Sequence, residues 1–197
     1  MAMGLAFLVS VATAFSIAVA VGLFFMSQAH ASESGTASEI HGRNLLTDEP
    51  IDVRPGKKGT VVVFMSIVCP CSNSHIPVLK KIADDFKNFN FVVVHSNSDE
   101  EIGATKSYFK TANFAFPVLQ DQKTKLADEY KAYKTPHAFV ISPDGKILYR
   151  GGVTNSNDAP TADKLYLRNA LEDIEAGHEV RIKEGRTLGC VISRRES

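Results

Sequence analysis

The segment that most constrains this chain is an apolar run at residues 61–68 that leads directly into Cys69-Pro70-Cys71. Its β-branched residues indicate a buried strand. Ser72 and the residues after it suit a helix N-terminus, and apolar residues then recur at helical spacing. Cys69 is therefore predicted where a strand meets a helix N-terminus. Unpaired backbone N–H groups and the helix dipole favour a thiolate there, so the sequence predicts a reactive thiol.

The balance of charge excludes some partners. The 197 residues carry 22 basic and 22 acidic side chains. A net charge near zero gives no electrostatic reason to expect nucleic acid or an anionic membrane surface as a partner. Without the N-terminal segment roughly 160 residues remain, which is enough for one domain with a sizeable core.

The N-terminus predicts export. Residues 4–26 are almost entirely apolar, and Ala29-His30-Ala31 matches the small-residue pattern that signal peptidase accepts. No Lys or Arg precedes the run, and the run is long enough to span a bilayer. Residues 1–31 are therefore a signal peptide or an N-terminal membrane anchor, and residues 32–39 form a polar linker. Either alternative predicts an exported, periplasmic or extracytoplasmic domain, where disulfides persist.

The remaining chain predicts an α/β fold. A strand–helix–strand unit is followed by a second helix, a short strand, a third helix, a hairpin and a last helix, which gives a mixed sheet with helices on both faces. We place this domain at residues 40–180 and a C-terminal tail carrying Cys190 at residues 181–197. The predicted strands are 60–67, 91–95, 117–119, 138–141 and 146–150, and the predicted helices are 72–88, 99–112, 123–133 and 161–176.

Four local patterns identify a family resemblance. Pro77 follows Cys69 by eight residues, and Lys134-Thr135-Pro136 stands directly before a strand. The other two patterns are the hairpin Pro143-Asp144-Gly145-Lys146 and the tail Thr187-Leu188-Gly189-Cys190. Over about residues 40–192 the chain resembles the redoxin (alkyl hydroperoxide reductase/thiol-specific antioxidant) branch of the thioredoxin-like superfamily. The resemblance implies a thioredoxin-like fold and thiol-based redox chemistry.

The resemblance makes Cys69 the nucleophile and leaves its redox partner open. Ser72 stands where thioredoxins have their second, resolving cysteine. Cys71 is two residues from Cys69, so a disulfide between them would close a small, strained ring that is readily reduced. Cys190 is the third cysteine, and an odd cysteine in an exported protein calls for a partner or a reactive role. It could resolve Cys69, pair with Cys71 or remain free.

The resemblance also assigns a role to the Thr135–Pro136 loop, which precedes the predicted strand 138–141. Pro136, if cis, would place the backbone of Thr135 against the thiol, where it could pair with an extended substrate. His137 could then relay a proton, or it could be an ordinary residue at the start of a strand. His75 is expected to be a solvated histidine on the first helix.

Three functions compete. The first is thiol–disulfide exchange. The second is an antioxidant thiol peroxidase, with Ser66 orienting the peroxide, although Val62 replaces the expected proline and the Thr135–Pro136 loop lacks an arginine. The third is a copper chaperone using Cys69, Cys71 and His137, despite unsuitable cysteine spacing.

We predict no cofactor and no resident metal. The expected partners are a thiol, disulfide or peroxide substrate and an electron-donating thiol system. The sequence leaves open the substrate, the electron donor, the cysteine pairing and the oligomeric state.

Overall fold

A computed structural model describes residues 40–194. The strands are β1 (His41–Asn44), β2 (Pro50–Asp52), β3 (Gly59–Met65), β4 (Phe89–His95), β5 (Val118–Gln120), β6 (Lys134–Thr135), β7 (His137–Ile141), β8 (Ile147–Gly151) and β9 (Cys190–Val191). Seven of them form a mixed sheet in the order β2-β1-β5-β4-β3-β7-β8. Strand β3 is parallel to β4, and β4 is parallel to β5, whereas β7 is antiparallel to both β3 and β8. A separate ribbon pairs β6 with β9.

Helices cover both faces of the sheet. Apolar residues of three helices pack into one core cluster, and those of a short fourth helix pack into a second cluster on the opposite face. The first three are α1 (Pro70–Asp85), α2 (Ile102–Ala112) and α4 (Tyr166–Glu175), and the short helix is α3 (Lys125–Glu129). The predicted thioredoxin-like α/β fold is therefore confirmed.

Strand β3 is an interior strand of the sheet, and both of its faces are apolar. Val61, Val63 and Met65 enter the cluster beneath α1, while Val62 and Phe64 enter the opposite cluster. All seven residues of β3 are buried, as the continuous apolar run predicts. Its C-terminal end delivers the cysteine-containing turn to one edge of the sheet, between the strands that flank β3.

The boundaries of two helices differ from the predicted ranges. Helix α2 begins at Ile102 and not at residue 99, because the side chain of Glu101 accepts hydrogen bonds from the first free N–H groups. The predicted helix 123–133 shortens to α3, because Lys123 and Thr124 both adopt φ of 55° and interrupt it. The prediction for both helices was wrong by several residues.

The tail returns to the domain, which the sequence did not predict. Backbone hydrogen bonds join Arg150 to Lys183 and Gly185. Further on, β9 pairs antiparallel with β6 and places Cys190 opposite Thr135. The tail therefore reaches the same sheet edge as the end of β3.

The predicted signal or anchor at residues 1–31 and the linker at 32–39 lie outside the described residues. Within residues 40–194, no helix has the length and apolar character needed to cross a membrane.

Candidate active site

Cys69 is the N-cap residue of α1 and is completely buried. In its thiol form, its Sγ donates a hydrogen bond to the carbonyl oxygen of Thr135 over 3.0 Å. The Thr135–Pro136 peptide bond is cis. The turn after β3 and the turn before β7 therefore meet at the Cys69 sulfur, although these residues are 66 positions apart.

All three cysteines lie together with free thiols. The side chains of both Cys71 and Cys190 interact with the Cys69 sulfur. Cys69 is buried, Cys71 is half-buried and Cys190 is exposed. The structure therefore brings both candidate partners to Cys69.

The surroundings make Cys69 the most acidic of the three thiols. Burial by itself would raise its pKa, but hydrogen bonds from the Cys190 side chain and from the backbone N–H groups of Ser72 and Cys190 lower the pKa to about 7. The Thr135 hydroxyl, which has no partner in the thiol form, also helps to lower this pKa. A pKa near 7 means that a large fraction of Cys69 is thiolate at neutral pH.

The other two thiols are held in the protonated form. The hydrogen bond to Cys69, burial and nearby negative charges raise the pKa of Cys190 to about 11. Burial and the Cys69 charge raise the pKa of Cys71. The cluster therefore favours a single thiolate at Cys69, to which Cys190 donates its S–H.

Gly189 lets the tail approach the cis-proline turn closely. Its φ is +130°, and a Cβ atom there would lie 1.9 Å from the carbonyl oxygen of Thr135. Any other residue would push β9 away from β6, so glycine is needed both for its backbone conformation and for the contact.

The tail is also held beyond Cys190. Ile192 is buried in the core, the Ser193 N–H donates to Asn97, and Arg194 donates to Asp128 and to the Ala132 carbonyl. Cys190 therefore lies in an anchored segment.

Both histidines singled out in the sequence are buried. His137 is buried between the rings of Tyr133 and Phe139, and burial together with the charge of Arg150 lowers its pKa to about 4. None of its described contacts is with a cysteine. The prediction that His75 is solvated was wrong, because it is 2% exposed and contacts the Cys71 carbonyl and the Thr154 hydroxyl.

A buried carboxylate near the cysteines was not predicted from the sequence. Glu100 accepts hydrogen bonds from the Ser66 hydroxyl and the Ile67 N–H, immediately before the cysteine turn. The donor proton of Ser66 is therefore engaged with Glu100. Its place in the chain was the available signal for this contact. Glu100 follows the end of β4, and because β4 is parallel to its neighbour β3, the C-terminal ends of both strands lie at the same edge of the sheet.

Within residues 40–194, no three His, Cys, Asp or Glu side chains form a group that could hold a metal ion. Of the three ligands in the copper-chaperone alternative, His137 contacts the rings of Tyr133 and Phe139.

Comparison with known proteins agrees with this geometry. The model of the AhpC/TSA family matches residues 49–150, a span that includes all of β3 to β7 and most of β8. The chain belongs to the AhpC/TSA family. This match confirms the family resemblance.

Two curated relatives are named as proteins of thiol–disulfide exchange. The thiol-disulfide oxidoreductase ResA of Bacillus cereus is 26% identical over 91 residues, which is 46% of this chain and 53% of ResA. The thiol:disulfide interchange protein CycY of Rhizobium leguminosarum is 25% identical over 159 residues, covering 69% of this chain and 84% of CycY. The match to ResA thus spans about half the length of that relative.

A solved structure extends the similarity over most of the chain. An uncharacterised conserved protein of Geobacillus kaustophilus superposes with a TM-score of 0.73 at 25% identity, covering 82% of this chain and 92% of that protein. This similarity concerns the fold.

The lowered pKa predicts how Cys69 reacts with pH. In the reduced protein, the rate at which iodoacetamide alkylates Cys69 should rise with pH below about 7 and level off above it, because only the thiolate reacts. Peptide mass spectrometry identifies the modified cysteine. In denaturant the midpoint should move up towards about 8.5, the ordinary value for cysteine. Equal midpoints in the folded and denatured protein would contradict the described surroundings.

The Gly189 contact predicts that Gly189→Ala loosens the tail. Its Cβ would overlap the Thr135 carbonyl, so β9 should separate from β6 and Cys69 should be alkylated roughly tenfold faster at pH 7. Gly177→Ala is the matched control, because Gly177 also has a positive φ but has open space around it. That control should cost about 1 kcal/mol of stability and leave Cys69 unchanged. An unchanged Cys69 rate in Gly189→Ala would show that the tail does not shield the sulfur.

Proposed function

We propose that this chain is a thiol–disulfide oxidoreductase in which Cys69 is the nucleophile and Cys190 is its redox partner. The observation that carries the proposal is the pairing of β6 with β9, which places Cys190 opposite Thr135, the residue whose carbonyl accepts the hydrogen bond of the Cys69 thiol. The names of the curated relatives support exchange between thiols and disulfides as the reaction class.

The local geometry favours Cys190 over Cys71 as the partner. Cys69 and Cys71 occupy the N-cap and the second helical position of α1, so a disulfide between them would close a small ring at the first residues of the helix. Such a bridge would strain the start of the helix. Cys190 instead arrives on a separate strand, opposite Thr135, whose carbonyl accepts from the Cys69 thiol.

The exchange proceeds in two steps. The Cys69 thiolate attacks one sulfur of a substrate disulfide, forms a mixed disulfide and releases the other sulfur as a thiolate, which takes a proton. Cys190 then loses its proton and attacks the Cys69 sulfur, releasing the second substrate thiol. One substrate disulfide is thereby reduced to two thiols, and the two protein thiols become one disulfide.

Access to Cys69 requires movement of the tail. Cys69 is fully buried, and β9 occupies the edge of β6 that an extended substrate would pair with. We propose that β9 moves aside for the first step and returns with Cys190 for the second. An external thiol system then reduces the Cys69–Cys190 disulfide and restores the starting state.

We also propose that the domain works outside the cytoplasm. The apolar residues 4–26 and the Ala29-His30-Ala31 site support an export signal or an anchor, followed by a linker at 32–39, the domain at 40–180 and the tail at 181–197. N-terminal sequencing of the mature protein separates the alternatives, because cleavage after Ala31 would leave Ser32 first.

A single-turnover experiment tests the proposed exchange. Reduced protein is mixed with oxidised glutathione without another reductant, and intact-mass spectrometry follows the products. The wild type and Cys71→Ser should each reduce one equivalent of the disulfide and end as an internal disulfide. Cys190→Ser should stop with one glutathione attached to Cys69, because no thiol is placed to release it. Cys69→Ser should react with oxidised glutathione more slowly than the wild type, because it lacks the nucleophile.

The controls distinguish the competing functions. Arrest of Cys71→Ser, with normal turnover of Cys190→Ser, would replace Cys190 by Cys71 as the partner. Rapid Cys69-dependent consumption of hydrogen peroxide without glutathione turnover would favour the thiol peroxidase instead.

A further inference from the structure

Glu100 is a buried acidic residue that has no part in the exchange steps described above. It lies between β4 and α2, and its side chain is 3% exposed. A buried carboxylate is costly unless donors surround it. Its position beside the cysteine turn therefore calls for an explanation.

Donors from two strand ends surround the Glu100 carboxylate. One oxygen accepts from the Ser66 hydroxyl, and the other accepts from the Ile67 N–H and from Nε2 of His95, both at 2.9 Å. Nδ1 of His95 in turn contacts the side-chain oxygen of Gln120 at 3.0 Å. Burial raises the pKa of Glu100, but the three hydrogen bonds lower it below the ordinary value, so Glu100 is ionised at neutral pH.

The carboxylate holds the segment that carries the nucleophile. Ser66 and Ile67 are the first two residues after β3 and precede Cys69 by three and two positions. The Ser66 N–H also donates to the Ser72 hydroxyl, and the Ser72 N–H donates to the Cys69 sulfur. Glu100 and α1 therefore fix this turn from opposite sides.

The negative charge of Glu100 also acts on the cysteine cluster. It contributes to the raised pKa of Cys190, together with the charges of Cys69 and Cys71, and to the raised pKa of Tyr108 on α2. Within residues 40–194, the titratable side chains linked to this cluster by a contact or a charge effect include Tyr108 on α2 and His95 on β4. Like charges repel, so a second thiolate at Cys190 is disfavoured.

We infer that Glu100 is a positioning residue for the exchange reaction. Its carboxylate fixes the turn that carries Cys69, and its charge adds to the repulsion that disfavours a thiolate at Cys190. This inference rests on the proposed function, since it assigns the nucleophile and the resolving thiol to those two cysteines. Once Cys69 enters a mixed disulfide it loses its charge, whereas the charge of Glu100 remains.

Glu100→Gln tests the inference in the reduced protein without substrate. A glutamine has the same shape, and its carbonyl can accept from Ile67 and His95 while its amide donates to the Ser66 oxygen. Site-resolved alkylation at pH 8.5 should show Cys190 reacting about twofold faster than in the wild type, because one of the charges that repel its thiolate is gone. The ratio of the Cys69 rate to the Cys190 rate should fall accordingly.

Two further variants keep the test decisive. Glu101→Gln makes the same chemical change one residue later, at an exposed helix cap, and should leave the ratio unchanged. Glu100→Asp keeps the charge and should preserve most of the ratio even if Glu100→Gln does not fold. A wild-type ratio in folded Glu100→Gln would overturn the inference, and so would a ratio in Glu100→Asp reduced by twofold or more.

The two hypotheses fail in different experiments. Alkylation rates of the reduced protein report on the effect of Glu100 even if Cys190 does not resolve Cys69. Failure of the exchange pathway would be seen in the single-turnover masses, whatever the alkylation rates are.

Discussion

The antiparallel pairing of Thr135 with Cys190 is the contact on which the candidate site depends. It covers Cys69, brings a second sulfur to it and supplies one of the N–H donors that stabilise its thiolate. A ribbon with two residues in each strand is too short to be stable alone. Its stability therefore comes from the close approach of Gly189 and from Ile192, which is buried in the core just beyond the ribbon.

The cysteine cluster balances burial against hydrogen bonding. Burial disfavours any thiolate, but the donors converge on Cys69, so its pKa falls while the pKa values of Cys71 and Cys190 rise. One negative charge can be accommodated, and a second would be repelled by the first and by Glu100. This asymmetry gives the two proposed redox partners different roles, with one sulfur ready to attack and the other holding a proton.

The sequence predicted the elements with strong local signals and missed those that depend on distant contacts. The apolar run ending at Cys69 identified β3, and the family resemblance identified the turn at Pro136. A two-residue strand such as β9 has no periodicity to detect. The burial of Glu100 depends on donors from β4 and from the turn after β3, so no local pattern reveals it.

Disulfide mapping of the oxidised wild-type protein tests the central claim most directly. The protein is oxidised under mild conditions, alkylated, digested without reduction and analysed by mass spectrometry, before and after treatment with dithiothreitol. The account predicts that a reversible link between Cys69 and Cys190 predominates, with Cys71 recovered as a free thiol. A predominant Cys69–Cys71 link, or the absence of any reversible disulfide at Cys69, would contradict it.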